Sequence, residues 1–487
     1  MSTLENKSGL LKFITCGSVD DGKSTLIGHI LYDAKLLYTD QEKALILDSK
    51  LGSRAGEIDY SLLLDGLMAE REQGITIDVA YRYFTTAARS FIVADTPGHE
   101  EYTRNMAVGA SFADVAVILV DALRGVLAQT RRHARICALM GIKYFAFAVN
   151  KMDLAGYREE PFNLIAEEIE KLRGSLGLAN VVIIPLSATE GDNVTQRSES
   201  MAWYKGETML QYLETVDISG GEPESGFYMP VQRVCRPDHG FRGFQGQIEA
   251  GKVMVGDTLT ALPSGQTALV KSILVTDKSV NSVEAGQPVT IQLDHEVDVS
   301  RGCVLEKNAR LKIEKTFVAA LLWMDEQKLI PGKDYWIKLG TKLVPAIITD
   351  IRHKVDVNSG ELLPADSVGK NEIARCQIML SGPAVLDEFK LHKTLGELIL
   401  IDRVSHATAA VGVVEQAIAD DRQGERIYPD NFDIPIADRF LQVRAGKVKG
   451  FGTRDERYPA HSLGGGEQEK FSLICVWDKN FEVEYMI

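Results

Sequence analysis

The sequence predicts an α/β domain with a mostly parallel sheet and helices on both faces, followed by two small all-β barrel domains. From Leu10 to about Val216, short apolar runs alternate with longer amphipathic segments. After Gly220 the helical period disappears, and short apolar strands separated by glycines follow one another. Alternating strands and helices are typical of a parallel sheet, whereas closely spaced short strands are typical of a barrel.

The first domain, predicted at 1–218, contains five apolar runs that predict buried strands and three amphipathic segments that predict helices. The strands are Leu11–Cys16, Ser90–Ala94, Val115–Val120, Tyr144–Val149 and Val181–Pro185, and the helices are Ser24–Asp33, Gln129–Met140 and Pro161–Leu176. Parallel strands that are covered on both faces are apolar along their whole length, as these five runs are.

Two groups of short strands predict the barrels, at 228–308 and 313–416. In the first barrel the strands are Met229–Val234, Gly246–Ala250, Thr258–Leu262, Val270–Val275 and Val289–Leu293. In the second they are Val318–Met324, Tyr335–Leu339, Leu343–Val355, Glu372–Leu380 and Leu398–Val404. The remaining residues, 417–487, are a tail to which the sequence assigns no structure.

Composition and charge exclude several classes of protein. The 487 residues are 45% hydrophobic and 25% charged, as in a globular protein, and the net charge of −14 disfavours a broad nucleic-acid or lipid-binding surface. Six scattered cysteines without a Cys-x-x-Cys pair indicate reduced, buried thiols. Because Met1–Leu10 has no apolar signal core and no apolar run could span a bilayer, we expect a cytoplasmic protein.

A glycine-rich loop follows the first predicted strand and precedes the first predicted helix. Its residues, Gly17-Ser18-Val19-Asp20-Asp21-Gly22-Lys23-Ser24-Thr25, contain the phosphate-binding pattern G-x-x-x-x-G-K-[ST]. Backbone N–H groups and the helix N-terminus would hold the phosphates. Lys23 is expected to reach the β- and γ-phosphates as a catalytic residue, and Ser24 to bind Mg²⁺. The strand–loop–helix context favours this interpretation over a chance glycine-rich turn.

A second motif, Asp95-Thr96-Pro97-Gly98-His99, follows a predicted strand 72 residues after Lys23. An aspartate at a strand end suits a Mg²⁺-linked role, directly or through water. The Gly98 N–H can approach a γ-phosphate because no side chain intervenes. His99 then lies where an attacking water must be oriented, although a surface loop histidine is the alternative.

Thr76 lies between these two motifs, in Glu72-Gln73-Gly74-Ile75-Thr76-Ile77. A mobile switch segment that contacts the γ-phosphate and Mg²⁺ would occupy this part of the chain. We therefore expect Thr76 to be a metal ligand and a catalytic residue, although its spacing alone fits an ordinary strand threonine better.

Two motifs indicate guanine recognition. Asn150-Lys151-Met152-Asp153 follows a predicted strand 55 residues after Asp95, and Ser187-Ala188 follows another, 37 residues after Asn150. The Asp153 carboxylate would accept from two N–H groups on guanine, where adenine offers a reversed pattern. Lys151 would cover the base, and Ser187-Ala188 would offer a backbone N–H to guanine O6. Each motif alone is weak, but together in this order they favour GTP over ATP.

This order of motifs, followed by two barrels, resembles the elongation-factor class of translation GTPases. Within that class the sequence is most similar to the GTPase subunit family of bacterial sulfate adenylyltransferase. The resemblance runs from about Leu10 to about Gln416 and depends on Gly17–Thr25, Asp65–Phe84, Asp95–Met106 and Gln129–His133. Elongation factors usually have histidines at the positions of Ser18 and Asp21, and the end of Asp65–Phe84 is unlike their switch.

The resemblance implies a heteromeric complex with a smaller adenylyltransferase subunit of the ATP-pyrophosphatase type. That subunit makes adenosine 5′-phosphosulfate and pyrophosphate from ATP and sulfate, and GTP hydrolysis drives the reaction. The sulfate–phosphate anhydride is a high-energy product, so coupling needs GTP and GDP states that bind the partner differently. Some relatives carry a fused adenylylsulfate kinase with its own phosphate loop; no second loop occurs here, so we expect no kinase activity.

Two other functions stay open from the sequence. One is a translation factor that delivers an aminoacylated or initiator RNA, which a basic groove across the barrels would favour. The other is a regulatory GTPase without an enzymatic partner. Ser18, Asp21 and the stretch Ala69–Phe84 favour the sulfate-activating family over the first of these.

Overall fold

The computed structural model describes residues 9–33, 49, 58–60, 76, 78–218, 226–237, 241–356 and 359–419, and the backbone of the strands within 431–484. The chain separates into two units, 1–419 and 420–487. The predicted fold class, an α/β domain followed by two antiparallel all-β domains, is confirmed. The boundaries given above for the individual domains stay a prediction.

The α/β domain is built on one six-stranded sheet. Its strands are β1 Leu10–Cys16, β2 Ala80–Thr85, β3 Ser90–Asp95, β4 Val115–Asp121, β5 Tyr144–Asn150 and β6 Asn180–Pro185, in the order β2-β3-β1-β4-β5-β6. Only the β2–β3 pair is antiparallel. The helices are α1 Lys23–Asp33, α2 Thr103–Phe112, α3 Ala128–Leu139, α4 Glu159–Leu176 and α5 Met209–Thr215, with a 3₁₀ turn at Glu100–Tyr102. The five predicted strands and three predicted helices are confirmed, whereas β2, α2 and α5 were not predicted.

Both faces of this sheet are covered, as the apolar runs predicted. All seven residues of β4 are buried. Ala116, Ile118 and Val120 pack into one hydrophobic cluster, and the alternate residues of β4 pack into another on the opposite face. Because the parallel strands all end at one edge of the sheet, the loops that follow β1, β3, β4, β5 and β6 meet there.

All pairings between the strands of the first all-β domain are antiparallel. Its strands are β7 Phe227–Pro230, β8 Arg233–Cys235, β9 Gly243–Gln247, β10 Lys252–Met254, β11 Thr258–Leu262, β12 Gln266–Val275, β13 Lys278–Val280, β14 Ser282–Glu284, β15 Pro288–Leu293 and β16 Val304–Lys307. The single strand predicted at Met229–Val234 is wrong, because β7 pairs with β16 while β8 pairs with β9. The strand predicted at Gly246–Ala250 begins three residues earlier, since Gly243 pairs with Gln292 of β15.

The second all-β domain closes into a barrel. Its strands are β17 Lys312–Trp323, β18 Asp334–Leu339, β19 Lys342–Val355, β20 Leu362–Leu363, β21 Ile373–Leu386, β22 Glu397–Asp402 and β23 Thr408–Ile418, with a short helix at Lys393–Gly396. The order β18-β22-β23-β17-β21-β19 is closed by pairing of β19 with β18. Closure leaves no edge along these six strands. All five predicted strands of this domain are present, with shifted ends.

The C-terminal unit contains two separate groups of strands in the part that the structure describes. β24 Asn431–Ile436, β25 Arg439–Arg444 and β26 Lys447–Thr453 form a three-stranded antiparallel sheet, and β27 Val476–Trp477 pairs with β28 Val483–Glu484. The sequence assigned this tail no structure. In the rest of the described chain, every helix is too short or too polar to cross a membrane.

Candidate nucleotide-binding site

The glycine-rich loop lies between β1 and α1, at the edge where the parallel strands end. Its backbone curls through positive φ values at Gly17 (+147°), Asp20 (+66°) and Gly22 (+90°). A Cβ atom added at Gly17 would lie 2.8 Å from the carbonyl oxygen of Leu119, and one at Gly22 would lie 2.5 Å from Asn150 Nδ2. Glycine is therefore required at both positions by conformation and by space.

Lys23 is held within this loop. Its Nζ donates to the carbonyl oxygens of Ser18 (2.8 Å) and Gly17 (3.3 Å), and the residue is only 7% exposed. Burial lowers the pKa of Lys23, while the nearby carboxylates of Asp95 and Asp21 act in the opposite direction. A buried cation surrounded by loop carbonyls is well placed to gain from the charge of a bound phosphate.

Asp21 is a buried acid on the inner side of the loop. Its Oδ2 accepts a hydrogen bond from the Ser18 N–H at 2.6 Å, and the residue is 1% exposed. Burial raises the pKa of the Asp21 carboxyl, and Lys23 opposes this shift. Asp21 therefore ties the first turn of the loop together, at a position where elongation factors usually have a histidine.

Asp95, at the end of β3, faces Ser24 at the start of α1. Asp95 Oδ2 accepts from Ser24 Oγ at 2.7 Å and Oδ1 accepts from Thr15 Oγ1 at 2.8 Å. Asp95 is 1% exposed, so both hydroxyl groups and the carboxylate form a compact set of oxygen atoms below the loop. Hard oxygen donors of this kind suit Mg²⁺. Within the described residues, no cluster of three or more histidine, cysteine or acidic side chains could hold a metal alone.

The residues after Asp95 bring the second motif against the phosphate loop. Thr96 Oγ1 donates to the carbonyl oxygen of Thr15 at 2.6 Å, and Pro97 is buried. A Cβ atom added at Gly98 would lie 2.6 Å from Lys23 Nζ. Gly98 therefore lies close against the lysine and the loop backbone, and a side chain there would displace one of them.

His99 is exposed, with its Nδ1 accepting from the Glu101 N–H at 3.3 Å. Its ring thus begins the short 3₁₀ turn at Glu100–Tyr102. Thr76 is half-buried and lies within a part of the chain where the adjoining residues 61–75 and 77 fall outside the described residues. The structure brings His99 to the loop region, and the catalytic roles of His99 and Thr76 stay predictions.

Asn150 connects the phosphate loop to the two guanine motifs. Its Nδ2 donates to the carbonyl oxygen of Asp21 at 2.7 Å, and its Oδ1 accepts from the Ala188 N–H at 2.8 Å. Ser187 is buried and its N–H donates to the carbonyl oxygen of Asp192. Asn150 therefore supports the site by joining three loops that are far apart in the sequence.

The residues that follow Asn150 in its motif differ in how deeply their side chains are buried. Met152 is fully buried, whereas Asp153 is half-buried, and its carboxylate makes no hydrogen bond or ion pair within the described residues. A carboxylate without a protein partner is free to accept from a ligand. Lys151 lies in the left-handed region, at φ +65°.

Two residues at this site were not singled out from the sequence. Asp121, at the end of β4, accepts from Lys151 Nζ at 2.9 Å and is 4% exposed. Burial alone would raise the pKa of Asp121, but hydrogen bonds from Lys151 and the Leu123 N–H outweigh it and lower the pKa. His133, on α3, accepts from the Gly17 N–H at Nδ1, 3.0 Å away. Asp121 could have been suspected because it ends a strand beside Asn150; the only signal for His133 was the stretch Gln129–His133.

We expect His99→Ala to retain GTP binding and to slow hydrolysis about a hundredfold, the lower range of general-base effects. The exposed ring makes its hydrogen bond to the Glu101 N–H and none to the phosphate loop, so its removal should leave nucleotide affinity unchanged. Single-turnover hydrolysis with saturating protein, beside the equilibrium dissociation constant for GDP, separates the two quantities. His99→Gln is the matched control, since an amide can still orient water. A fully active His99→Ala variant would remove this residue from the mechanism.

Comparison with known families identifies the class of protein. The chain is a GTPase of the translation-factor class. This class is defined by the phosphate loop, the Asp95–His99 segment and the guanine motifs at one sheet edge, followed by antiparallel all-β domains. The elongation factor Tu GTP binding domain matches residues 8–219, and the GTP-eEF1A C-terminal domain-like family matches residues 316–415. More particularly, the chain belongs to the sulfate adenylyltransferase subunit 1 family.

Relatives in this family match along most of the chain. Sulfate adenylyltransferase subunit 1 of Francisella tularensis subsp. novicida is 47% identical, covering 84% of this chain and 87% of its own length. The Chromobacterium violaceum protein of the same name is 50% identical, covering 85% and 87%. The Bifunctional enzyme CysN/CysC of Xylella fastidiosa is 50% identical over 84% of this chain, which spans just under two thirds (66%) of that relative. A solved structure of Sup35 complexed with GMPPNP covers 85% of this chain at 24% identity and a TM-score of 0.40.

Proposed function

We propose that this chain is the GTP-binding and GTP-hydrolysing subunit of a sulfate adenylyltransferase. Hydrolysis of GTP would drive the formation of adenosine 5′-phosphosulfate and pyrophosphate from ATP and sulfate during sulfate assimilation. The observation that supports this most is identity of 47–50% to proteins named sulfate adenylyltransferase subunit 1, extending through the all-β domains. A GTP site alone would fit many GTPases, whereas similarity over 84–85% of the chain selects this family.

Lys23, Ser24, Asp95 and Thr76 are the residues we assign to the phosphates and to Mg²⁺. Ser24 and Asp95, whose oxygens already lie 2.7 Å apart, and Thr76 would hold the cation. Mg²⁺, when bound, neutralises charge on the β- and γ-phosphate oxygens. Lys23 stabilises the same charge from within the loop, and Gly98 offers its N–H to the γ-phosphate. His99 orients the attacking water and is the catalytic residue beside Lys23 and Thr76.

The base would be bound by the loops that follow β5 and β6. Asp153 accepts from the two N–H groups on the guanine edge, and the stem of Lys151 covers the ring. The ion pair of Lys151 with Asp121 supports this role, because it holds the lysine in one orientation. Met152 anchors the loop in the core. The N–H groups of Ser187 and Ala188 already donate to the Asp192 carbonyl oxygen and to Asn150 Oδ1, so a hydrogen bond from this segment to guanine O6 requires one of these bonds to be exchanged.

Hydrolysis would be communicated through contacts between the Asp95–His99 region and the second barrel. Arg104, on α2, donates to the carbonyl oxygens of Met324 (3.0 Å) and Thr408 (3.4 Å). Asn371 of the second barrel donates to the carbonyl oxygen of Glu100 at 3.1 Å. A segment that contacts the γ-phosphate therefore also contacts the barrel. Loss of the γ-phosphate would alter these contacts and therefore the surface that the barrel offers to a partner subunit.

The partner we propose is a smaller adenylyltransferase subunit of the ATP-pyrophosphatase type, in a heteromeric cytoplasmic complex. The name subunit 1, carried by the relatives, supports the existence of a second subunit. The five cysteines among the described residues are unpaired, which agrees with a reducing compartment. This assignment requires neither nucleic acid nor membrane.

The proposed function is tested by measuring pyrophosphate release from ATP and sulfate by this chain co-expressed with the adenylyltransferase-type subunit of its own genome. We expect GTP to raise the rate and to be consumed together with formation of adenosine 5′-phosphosulfate. A non-hydrolysable GTP analogue and the Lys23→Ala variant are the controls, and neither should sustain product formation. Tight GTP binding without any change in rate would contradict the coupling and direct attention to RNA binding.

A further inference from the structure

The stretch Gln129–His133 begins α3 and has no part in the functions assigned so far. His133 is fully buried and lies beneath the phosphate loop, 116 residues away from it in the sequence. Its Nδ1 lies 3.0 Å from the backbone nitrogen of Gly17, the first residue of the loop. The N–H can only donate, so Nδ1 must carry a lone pair and the ring proton must be on Nε2.

The other side of the ring is also engaged. His133 Nε2 lies 2.9 Å from the side-chain amide nitrogen of Gln129, one helical turn earlier. Gln129 contacts Arg132 at 2.9 Å, and Arg132 pairs with Glu100 at the same distance. The Gly17 N–H alone therefore determines the tautomer. Because two N–H groups cannot hydrogen-bond to each other, a proton on Nε2 requires the Gln129 amide to turn its oxygen toward the ring. Burial, with the cations Lys23 and Arg132 nearby, lowers the pKa of His133 to about 3, so the ring is neutral near pH 7.

Gly17 and Ser18, the first two residues of the loop, both depend on buried side chains for their N–H hydrogen bonds. The Gly17 N–H donates to His133 and the Ser18 N–H donates to Asp21. Neither N–H is therefore available to a phosphate. The two bonds set the path of the backbone into the loop, whose later N–H groups are left to face the ligand.

We propose that His133 is a positioning residue of the phosphate loop, whose Nδ1 holds the Gly17 N–H and so presents the rest of the loop to the phosphates of GTP and GDP. Without this acceptor, the buried Gly17 N–H loses its partner, and the loop must rearrange to satisfy it. The inference rests on the proposed GTP site. It makes no use of the sulfate reaction or of a partner subunit.

The test compares three variants by equilibrium binding of GDP and GTP to the full chain. His133→Leu removes the acceptor and should raise both dissociation constants about tenfold or more, the cost of one unsatisfied buried donor. His133→Asn carries Oδ1 at the same number of bonds from the backbone as Nδ1 and should restore affinity to within about threefold of the parent. Arg131→Gln is the control on the same helix, since Arg131 faces Glu168 at 3.9 Å.

A role in packing alone and a positioning role predict different effects on melting temperature and on nucleotide affinity. If His133 served only packing, the Leu variant would melt earlier and bind nucleotide with parent affinity, which would overturn the proposal. We expect the KM for GTP to rise more than kcat falls, because the loop binds ground state and transition state alike. If the parent chain itself binds no guanine nucleotide, the proposed site is wrong, and that outcome is distinct from a failure of His133 alone.

If His133→Leu does not fold, the proposal can be tested on the parent protein by the protonation state of the His133 ring. Nitrogen-15 spectra of histidine-labelled chain should show one imidazole with its proton on Nε2 and an unprotonated Nδ1, unchanged between pH 5 and pH 8. The assignment of that signal comes from its absence in His133→Asn. A proton on Nδ1, or titration of this ring within the range, would contradict the proposal.

Discussion

Lys23→Ala is expected to lower the affinity for GTP and GDP at least about a hundredfold, because the phosphates lose their main cation within the loop. The loss is larger than for a surface lysine, since Lys23 is 7% exposed and its charge interacts with the carboxylates of Asp95 and Asp21. In the variant those two acids remain close to the phosphate site without a compensating cation. Titration with a fluorescent GDP analogue measures the effect.

The matched control is Lys171→Ala, which removes an exposed lysine from α4. We expect this control to bind nucleotide as the parent chain does. Circular dichroism should show both variants folded, because the Lys23 side chain contributes hydrogen bonds to two loop carbonyls and none to the sheet. A Lys23→Ala variant with affinity within threefold of the parent would mean that phosphate is bound elsewhere.

Asp153→Asn is expected to lower GTP affinity about a hundredfold and to make XTP the preferred nucleotide. The carboxylate accepts from two guanine N–H groups. In the variant the amide NH2 replaces one of the two acceptor oxygens, so one guanine N–H faces another donor and loses its hydrogen bond. Xanthine carries a carbonyl oxygen in place of the guanine amino group, so the same amide pairs with it correctly. Competition of GDP and XDP against a fluorescent nucleotide measures the reversal.

The control for this exchange is Asp277→Asn, the same chemical change on an exposed residue between β12 and β13. It should leave both affinities unchanged. The unpartnered Asp153 carboxylate makes large rearrangement of the free protein unnecessary, since no hydrogen bond within the described residues is lost. Unchanged discrimination between GDP and XDP in Asp153→Asn would show that the base is recognised by other groups.

Elements whose signal is local could be predicted from the sequence. Five of the six strands of the α/β domain are continuous apolar runs, and each of these five was placed within one residue of its observed ends, because burial on both faces leaves few polar residues inside them. The antiparallel edge strand β2, Ala80–Thr85, was missed. The first all-β domain was harder. The prediction joined β7 and β8 across Val231 and Gln232, where the chain leaves one strand partner for another. Periodicity reports burial along a strand and carries no information about which strand lies beside it.

The identity of the ligand was determined largely by the sequence itself. The phosphate loop and the guanine motifs are short and contiguous, and their chemistry follows from glycine conformations, charges and strand ends that can be read in order. Gly17, Gly22 and Lys23 were assigned in this way, and the close contacts around both glycines give the assignment a steric reason. Membership of the sulfate-activating family likewise followed from residues that adjoin these motifs.

The supporting shell of the site was decided only by the tertiary structure. His133 reaches Gly17, Asn150 reaches both Asp21 and Ala188, and Asp121 reaches Lys151, across separations of 116, 129, 38 and 30 residues. The sheet order β3-β1-β4-β5-β6 brings these strand ends to one edge, and neither the order nor the register can be read from hydrophobic pattern. A hydrogen bond between distant residues exists only once the strands between them are in place. For that reason the sequence determined which ligand binds, and the fold determined what holds its binding loops.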